Sequence, residues 1–360
     1  MTTHKGRDLA ATRAAFSAWL GRTLAGARDA RDVRVSELTP PGATGFSNDT
    51  LCFDLSYVGE RGPVEEALVL RIQPTKNQVF PDYDLGKQIR CMQLLERTLV
   101  PVPRVLWYEP DAGVLGAPFY VMARVEGRIP TDNPPYHVGG WLTEASETER
   151  ETIWWSGVET LAVIHRLDWR AAGFGFLEDP GESRSPIERQ LDQYRQYLLW
   201  AARKPMPTCE AALAWLEKHA PEGEPVALSW GDARIGNMIF REGRCVAVLD
   251  WEMVALASPE ADLAWFLFLD RHHSEGLGAP RLPGFPSREA TLARYEAATG
   301  HRVRHLHYYE TFAAFRFSVI MIRLAQQFVA LGILPADSDF ETNNMPSRLL
   351  AKLLDLPPPG

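Results

Sequence analysis

The spacing of apolar side chains changes character near residue 127. Before that point the runs are short and extended. Leu51, Phe53 and Leu55 fall on one face of an alternating segment, and residues 33–38, 67–72, 102–108 and 119–122 read as further strands. A helical segment over 10–24 precedes them. Leu85, Ile89, Met92 and Leu95 predict a helix over 82–97. Beyond residue 127 the period is helical. Trp154, Val158, Leu161, Ala162 and His165 share one face, Ile187, Leu191, Tyr194 and Leu198 a second, and Ala212, Leu213 and Leu216 a third. The most apolar long stretch, 312–331, is interrupted by Arg316, Arg323, Gln326 and Gln327, which predicts a buried core helix and not a membrane span.

One later segment breaks the helical pattern. Residues 238–240 and 245–249 are strand-like and flank Arg241-Glu242-Gly243-Arg244, which predicts a hairpin with Gly in its turn. Asn237 lies just before the first strand and Asp250 just after the second, so antiparallel pairing makes them neighbours. Asp232 stands five residues before Asn237 in Trp230-Gly231-Asp232-Ala233-Arg234-Ile235-Gly236-Asn237. Asp and Asn are common loop formers, so Asp-x-x-x-x-Asn alone says little. Coupled to the hairpin and Asp250, it reads as a phosphoryl-transfer site. Asp232 would orient a hydroxyl and accept its proton, while Asn237 and Asp250 would hold Mg²⁺ against a nucleotide's phosphates. Hard oxygen ligands on neighbouring loops suit Mg²⁺, which keeps waters and phosphates as its other ligands. Arg234 would neutralise charge on the transferring group; the alternative is a surface arginine.

Composition narrows the class. The 360 residues are 46% hydrophobic and 23% charged with a net charge of −8, which argues against a nucleic-acid surface. Cys52, Cys91, Cys209 and Cys245 are scattered, as expected of reduced thiols in a cytoplasmic protein. The first 24 residues carry charges throughout and no apolar signal segment. There is no Gly-x-Ser-x-Gly or His-Glu-x-x-His motif, which removes the common hydrolase signatures. His165 ends an apolar stripe and reads as structural, and the adjacent His272 and His273 read as loop residues. Glu252 is either a further metal or water ligand or a solvent-facing carboxylate. Asp262 leads an apolar run and suits a helix N-terminus.

From about Val33 to the Ala-Trp-Phe-Leu run after Asp262, and more weakly to the C-terminus, the chain resembles the aminoglycoside phosphotransferase family. Within it the chain is similar to an actinobacterial-type branch related to the kinase-like domain of some acyl-CoA dehydrogenases. The resemblance implies an α+β, bilobal protein-kinase-like fold with an N-terminal lobe over 1–126 and a helical C-terminal lobe over 127–360. It also implies ATP (GTP in some members), Mg²⁺ and transfer of the γ-phosphoryl group to a small-molecule hydroxyl. An aminoglycoside and a choline-, homoserine- or sugar-like metabolite are the acceptor alternatives.

By position, Ser47 and Asn48 fall in the nucleotide-covering loop, and Ala123 and Val125 in the hinge whose main chain bonds adenine. Asp262 matches an anchor of the catalytic loop. Acceptor-pocket residues are expected in about 142–215 and 270–346. Three positions depart from the family pattern: Arg71 stands where Lys is usual, Gln88 where Glu is usual, and Trp230 where His is usual. An Arg71–Gln88 pair would keep the cation and lose the ion pair, or Arg71 would point to solvent from a strand edge. These departures leave open a nucleotide-binding pseudokinase that serves as an interaction module.

Overall fold

Strand pairing in the first third of the chain follows the alternation of its side chains. The computed structural model describes residues 3–4, 7–28, 30–41, 49–76, 78–178 and 181–360. Two short strands, β1 (Thr3–His4) and β2 (Arg7–Asp8), pair ahead of helix α1 (Leu9–Arg28). Five strands then form an antiparallel sheet in the order β3 (Arg31–Val35), β4 (Asp49–Gly59), β5 (Gly62–Ile72), β7 (Phe119–Ala123) and β6 (Val105–Glu109). Leu51, Phe53 and Leu55 are buried on one face. There they meet Phe16, Trp19, Leu20 and Leu24 of α1 in one apolar cluster, with the Phe16 and Phe53 rings edge to face at 5.1 Å. Helix α2 (Leu85–Leu95) packs Leu85, Ile89, Met92 and Leu95 against the opposite face, with Val69, Tyr120 and Met122.

Two of the boundaries that differ from the sequence expectation have a visible cause. The β4–β5 hairpin runs in register from Asp49↔Ile72 to Gly59↔Gly62, well past the strands expected over 51–55 and 67–72. Its outer half carries Ser56, Glu65 and Glu66 between apolar residues, and that polar content hides the pairing. Helix α2 begins later than expected because Asp84 caps it, accepting the Lys87 N–H at 2.8 Å.

The chain leaves the sheet after Ala123. At Gly127 (φ +152°) a Cβ would lie 2.5 Å from Ile239 Cγ2 and 2.7 Å from the Phe240 carbonyl oxygen. The next residue, Arg128, exchanges two backbone hydrogen bonds of 2.8 Å with Phe240. The helices that follow are α3 (Trp141–Glu144), α4 (Glu147–His165), α5 (Pro186–Ala201), α6 (Pro207–Lys218), α7 (Pro259–His273), α8 (Arg288–Thr299), α9 (Leu306–Ala330) and α10 (Met345–Leu353). Between α6 and α7 lie two antiparallel pairs, β8 (Ala227–Ser229) with β11 (Ala255–Ala257) and β9 (Met238–Arg241) with β10 (Arg244–Val248). Together these elements form the α+β class expected.

The 312–331 stretch forms the core of α9, with Phe312, Phe315, Val319 and Ile322 buried. His272 and His273 are not loop residues. They are buried in the last turn of α7, whose apolar side chains surround the helix and carry it past Asp270.

Gly127→Ala is expected to cost about 2–3 kcal/mol, because the linker and β9 cannot separate to admit a methyl group. Gly21→Ala, in α1 with no atom within 4 Å of the new Cβ, is expected to gain about 0.5–1 kcal/mol. Thermal unfolding of the two variants should therefore shift in opposite directions.

Candidate active site

The predicted hairpin brings its flanking polar residues together. The Leu249 N–H donates to the Asn237 carbonyl at 2.8 Å, so the residues before β9 and after β10 are held side by side. The Asn237 amide Nδ2 donates to Asp232 Oδ2 at 2.6 Å and to the Asp232 carbonyl at 3.2 Å, which leaves the amide oxygen as an acceptor. Asp232 Oδ1 accepts from the Trp265 indole N–H at 2.8 Å. Asp250 adopts a left-handed conformation (φ +59°), an uncommon state for a residue with a side chain and one that clusters at functional positions. Gly231 (φ +90°) turns the chain so close to Met253 that a Cβ would sit 2.3 Å from its carbonyl oxygen.

Asp262 holds this loop from below. Its carboxylate accepts the N–H of Trp230 at 2.6 Å, the N–H of Gly231 at 2.8 Å and the Ser229 hydroxyl at 2.9 Å. His165 Nε2 lies 3.2 Å from the same carboxylate, and its Nδ1 lies 2.6 Å from the Tyr295 hydroxyl. Burial alone would raise the Asp262 pKa; the bonds from His165, Gly231 and Ser229 hold it below the usual carboxylate value. His165 is thus structural, as its position at the end of an apolar stripe suggested. The Trp230 indole N–H donates to the carbonyls of Leu249 at 2.8 Å and Asp250 at 3.2 Å. The Trp230 departure therefore ties the loop of Asp232 to the loop of Asp250. Arg316 of α9 is buried beneath them, donating to the Gly231 carbonyl at 3.1 Å with its guanidinium 4.5 Å from the Trp265 ring centroid.

Arg71 is neither at a strand edge nor in solvent. It is buried opposite Tyr120 in the sheet, and its Nη2 reaches Asp250 Oδ1 at 3.4 Å across the cleft. Burial works against the guanidinium charge, but Tyr120, Asp250 and Glu252 more than offset it and raise the pKa. The Arg71–Gln88 hydrogen bond expected from the sequence is not formed. Among the described residues both amide atoms of buried Gln88 have no hydrogen-bond partner, while the Tyr120 hydroxyl and the Arg71 guanidinium face each other. A buried orphan of this kind costs about 1–3 kcal/mol. Arg71, beside Asp250, is the cation that fits a phosphate oxygen.

Asn237 and Asp250 fit Mg²⁺ in the same sense: they supply oxygen ligands from the protein and leave the remaining positions to water and phosphate. No cluster of three or more His, Cys, Asp or Glu side chains suited to a metal occurs among the described residues. Glu252, beyond Asp250, lies within electrostatic reach of Arg71 and of Lys87.

At the hinge, the Ala123 N–H is committed to the Arg104 carbonyl at 2.9 Å, so at most its carbonyl is available. The Val125 main chain has no such bond among the described residues. Ser47 and Asn48 lie outside the described residues.

Arg234 is not a surface residue. Its Nε lies 3.2 and 3.3 Å from the two Asp232 oxygens, and its Nη1 lies 2.6 and 2.5 Å from those of Asp132. Although burial opposes it, Asp132 and Asp232 raise the Arg234 pKa. Asp132 and Trp265 are the site residues that the sequence did not reveal. Asp132 sits in a Pro- and Gly-rich loop, and Trp265 is one residue of an apolar run. No signal in the sequence pointed to either residue; only the structure shows Gly236 making room for Asp132, with a Cβ there 2.8 Å from Asp132 Oδ1.

Comparison with known proteins bears on the family and the fold. Residues 41–317 match the model of the phosphotransferase enzyme family. The chain is similar to acyl-CoA dehydrogenase family member 11 of Gallus gallus, with 33% identity over 227 residues, 62% of this chain and 27% of the relative. It is also similar to a probable acyl-CoA dehydrogenase, IBR3, of Arabidopsis thaliana, with 30% identity over 77% of this chain and 34% of the relative. The chain thus spans about a third or less of each relative's length. Two solved structures share its fold. A putative aminoglycoside phosphotransferase from Ralstonia eutropha superposes with a TM-score of 0.66 at 24% identity, covering 94% of this chain and 95% of the other. Choline kinase LicA from Streptococcus pneumoniae gives 0.55 at 15% identity, covering 94% and 99%.

Asp262→Asn is expected to destabilise the protein by about 3 kcal/mol at pH 7, since a buried anion with committed donors is replaced by a neutral amide. Because the folded-state pKa is depressed, the wild-type advantage exists above the unfolded carboxylate value of about 4 and is lost as pH falls through the lower folded value. Urea unfolding of both proteins from pH 7 downward should show the gap narrowing below about pH 4.

Proposed function

The chain belongs to the phosphotransferase enzyme family, and we propose that it moves the γ-phosphoryl group of ATP, with Mg²⁺, to a hydroxyl of a small molecule. The observation that supports this most is the convergence of Asp232, Asn237 and Asp250 on one rim, with Asp262 fixing the loop between them. Asn237 and Asp250 would hold Mg²⁺, which when bound would neutralise phosphate charge. Asp232 accepts the proton of the acceptor hydroxyl as its oxygen forms a bond to the γ-phosphorus, the bond to the bridging oxygen breaks and ADP leaves. Trp265 and Asn237 each donate to one Asp232 oxygen, which fixes the carboxylate's orientation for that transfer. Arg71 holds phosphate oxygens next to Asp250, and the Val125 main chain meets the adenine edge. Arg234 faces the transferring group.

The missing Arg71–Gln88 bond favours a second reading, a nucleotide-binding interaction module without turnover. Retention of Asp232, Asn237 and Asp250 weighs against it, because a module that only binds has no need of a proton acceptor.

A screen of ATP consumption over aminoglycosides and choline-, homoserine- and sugar-like alcohols tests both readings. Wild-type protein should show Mg²⁺-dependent turnover with at least one alcohol. Asp232→Ala should lower it by about 10²–10⁴-fold, the usual contribution of a positioned base, and leave nucleotide binding intact. Near-wild-type phosphotransfer by Asp232→Ala would sink the catalytic assignment, and ATP binding without turnover across the panel would favour the module.

A further inference from the structure

Arg234 is shared unequally between two carboxylates. A guanidinium beside one free carboxylate normally forms two parallel bonds of about 2.7–2.9 Å. Here Asp232 receives only Nε, at 3.2 and 3.3 Å, while Asp132 receives Nη1 at 2.6 and 2.5 Å. The shorter contacts lie with Asp132, the residue farther from the chemistry. Asp132 draws the cation away from Asp232.

The surrounding structure is built to keep Asp132 in place. Its loop is closed by the Thr131 hydroxyl, which donates to the Pro134 carbonyl at 2.7 Å, and by a bridge between Asp132 and Pro135. The Trp141 indole N–H donates to the Ile129 carbonyl at 2.9 Å and fixes the loop's other flank. Beneath the ion pair stands Gly236, where a Cβ would lie 2.5 Å from Arg234 Nη1 and 2.8 Å from Asp132 Oδ1. On the side of α7, His273 Nε2 is 3.7 Å from Asp132 Oδ1. Burial and the Arg234 charge push the His273 pKa down to about 3, so the imidazole is neutral and leaves the carboxylate to Arg234. An exposed ion pair with long side chains would be worth little. This one is different, because its cation is half-buried and also touches the group that orients the acceptor.

We infer that Asp132 is a positioning residue for phosphoryl transfer. By competing for the Arg234 guanidinium it keeps Asp232 open to the acceptor hydroxyl and holds the cation where the transferring group arrives. Without Asp132, Arg234 closes onto Asp232 as a two-point pair and occupies the oxygens that should meet the hydroxyl. The inference rests on Asp232 as the hydroxyl-orienting group, and it adds a residue from outside the catalytic loop whose effect passes entirely through Arg234.

Two measurements test it. The first is the crystal structure of nucleotide-free Asp132→Asn, in which Arg234 should contact both Asp232 oxygens through two nitrogens. An Arg234 that keeps its present place would overturn the inference. The second is ADP formation from MgATP, with water or a screened alcohol as acceptor, together with binding of N-methylanthraniloyl-ADP. Asp132→Asn should lower kcat by about 10–100-fold, with KM for ATP and the binding constant changed less than about twofold, and Asp132→Glu should recover most of the rate.

Asp132→Asn combined with Arg234→Gln should be no slower than Arg234→Gln alone, because residues acting as a unit do not lose their effects additively. Multiplying losses, or a loss confined to KM, would refute the unit. If Asp232→Ala retains turnover, the underlying reading fails. If Asp232→Ala is inactive while Asp132→Asn matches wild type, only the role of Asp132 fails.

Discussion

One buried carboxylate sets the geometry on which the site depends. Asp262 lies in the first turn of α7, where an anion is favoured by the helix dipole, and it gathers donors from Ser229, Trp230, Gly231 and His165. The two sequence interpretations of Asp262, helix start and loop anchor, describe the same residue doing both. An unpaired buried anion would be intolerable, and the Ser229 hydroxyl and the Trp230 and Gly231 N–H groups have no other partner among the described residues, so the loop cannot drift without stranding both sides. The direction of Asp232 follows from that fixation. Arg316 adds a cation below the Gly231 carbonyl, held among aromatic rings instead of a carboxylate.

The candidate site was legible where its assembly depends on local chain geometry. Asn237 and Asp250 flank a short hairpin, and antiparallel pairing of neighbouring strands alone brings them together. The strand and helix classes were legible for the same reason, since the side-chain period reports a face that must be buried. Residues that meet through tertiary packing were not. Asp132 reaches Arg234 across more than a hundred residues of chain, and nothing in a Pro- and Gly-rich loop marks one aspartate as special. Trp265 looks like any member of an apolar helix until its indole N–H is seen to face Asp232. His272 and His273 were misplaced because two adjacent polar rings suggest a turn, whereas the apolar residues before them continue the helix.

The departures from the family pattern have different meanings once packed. Trp230 bridges the carbonyls of Leu249 and Asp250 through its ring N–H. The Arg71 and Gln88 exchanges do not compensate each other. Arg71 turns to Asp250, and Gln88 stays buried without a partner among the described residues. Helix α2 is therefore not tied to the sheet by the ion pair that its position would allow.

The linker between sheet and helices has a mechanical consequence. On one side Arg124 is stitched to Ala67 of the sheet, and on the other Arg128 is stitched to Phe240 of the hairpin. Only residues 125–127 lie between those two stitches. A second tie runs from the Val248 N–H to the Pro101 carbonyl at 2.8 Å, and a third from Arg71 to Asp250. Ties at three separate places act like the legs of a tripod: the sheet cannot tilt against the hairpin without lengthening one of them.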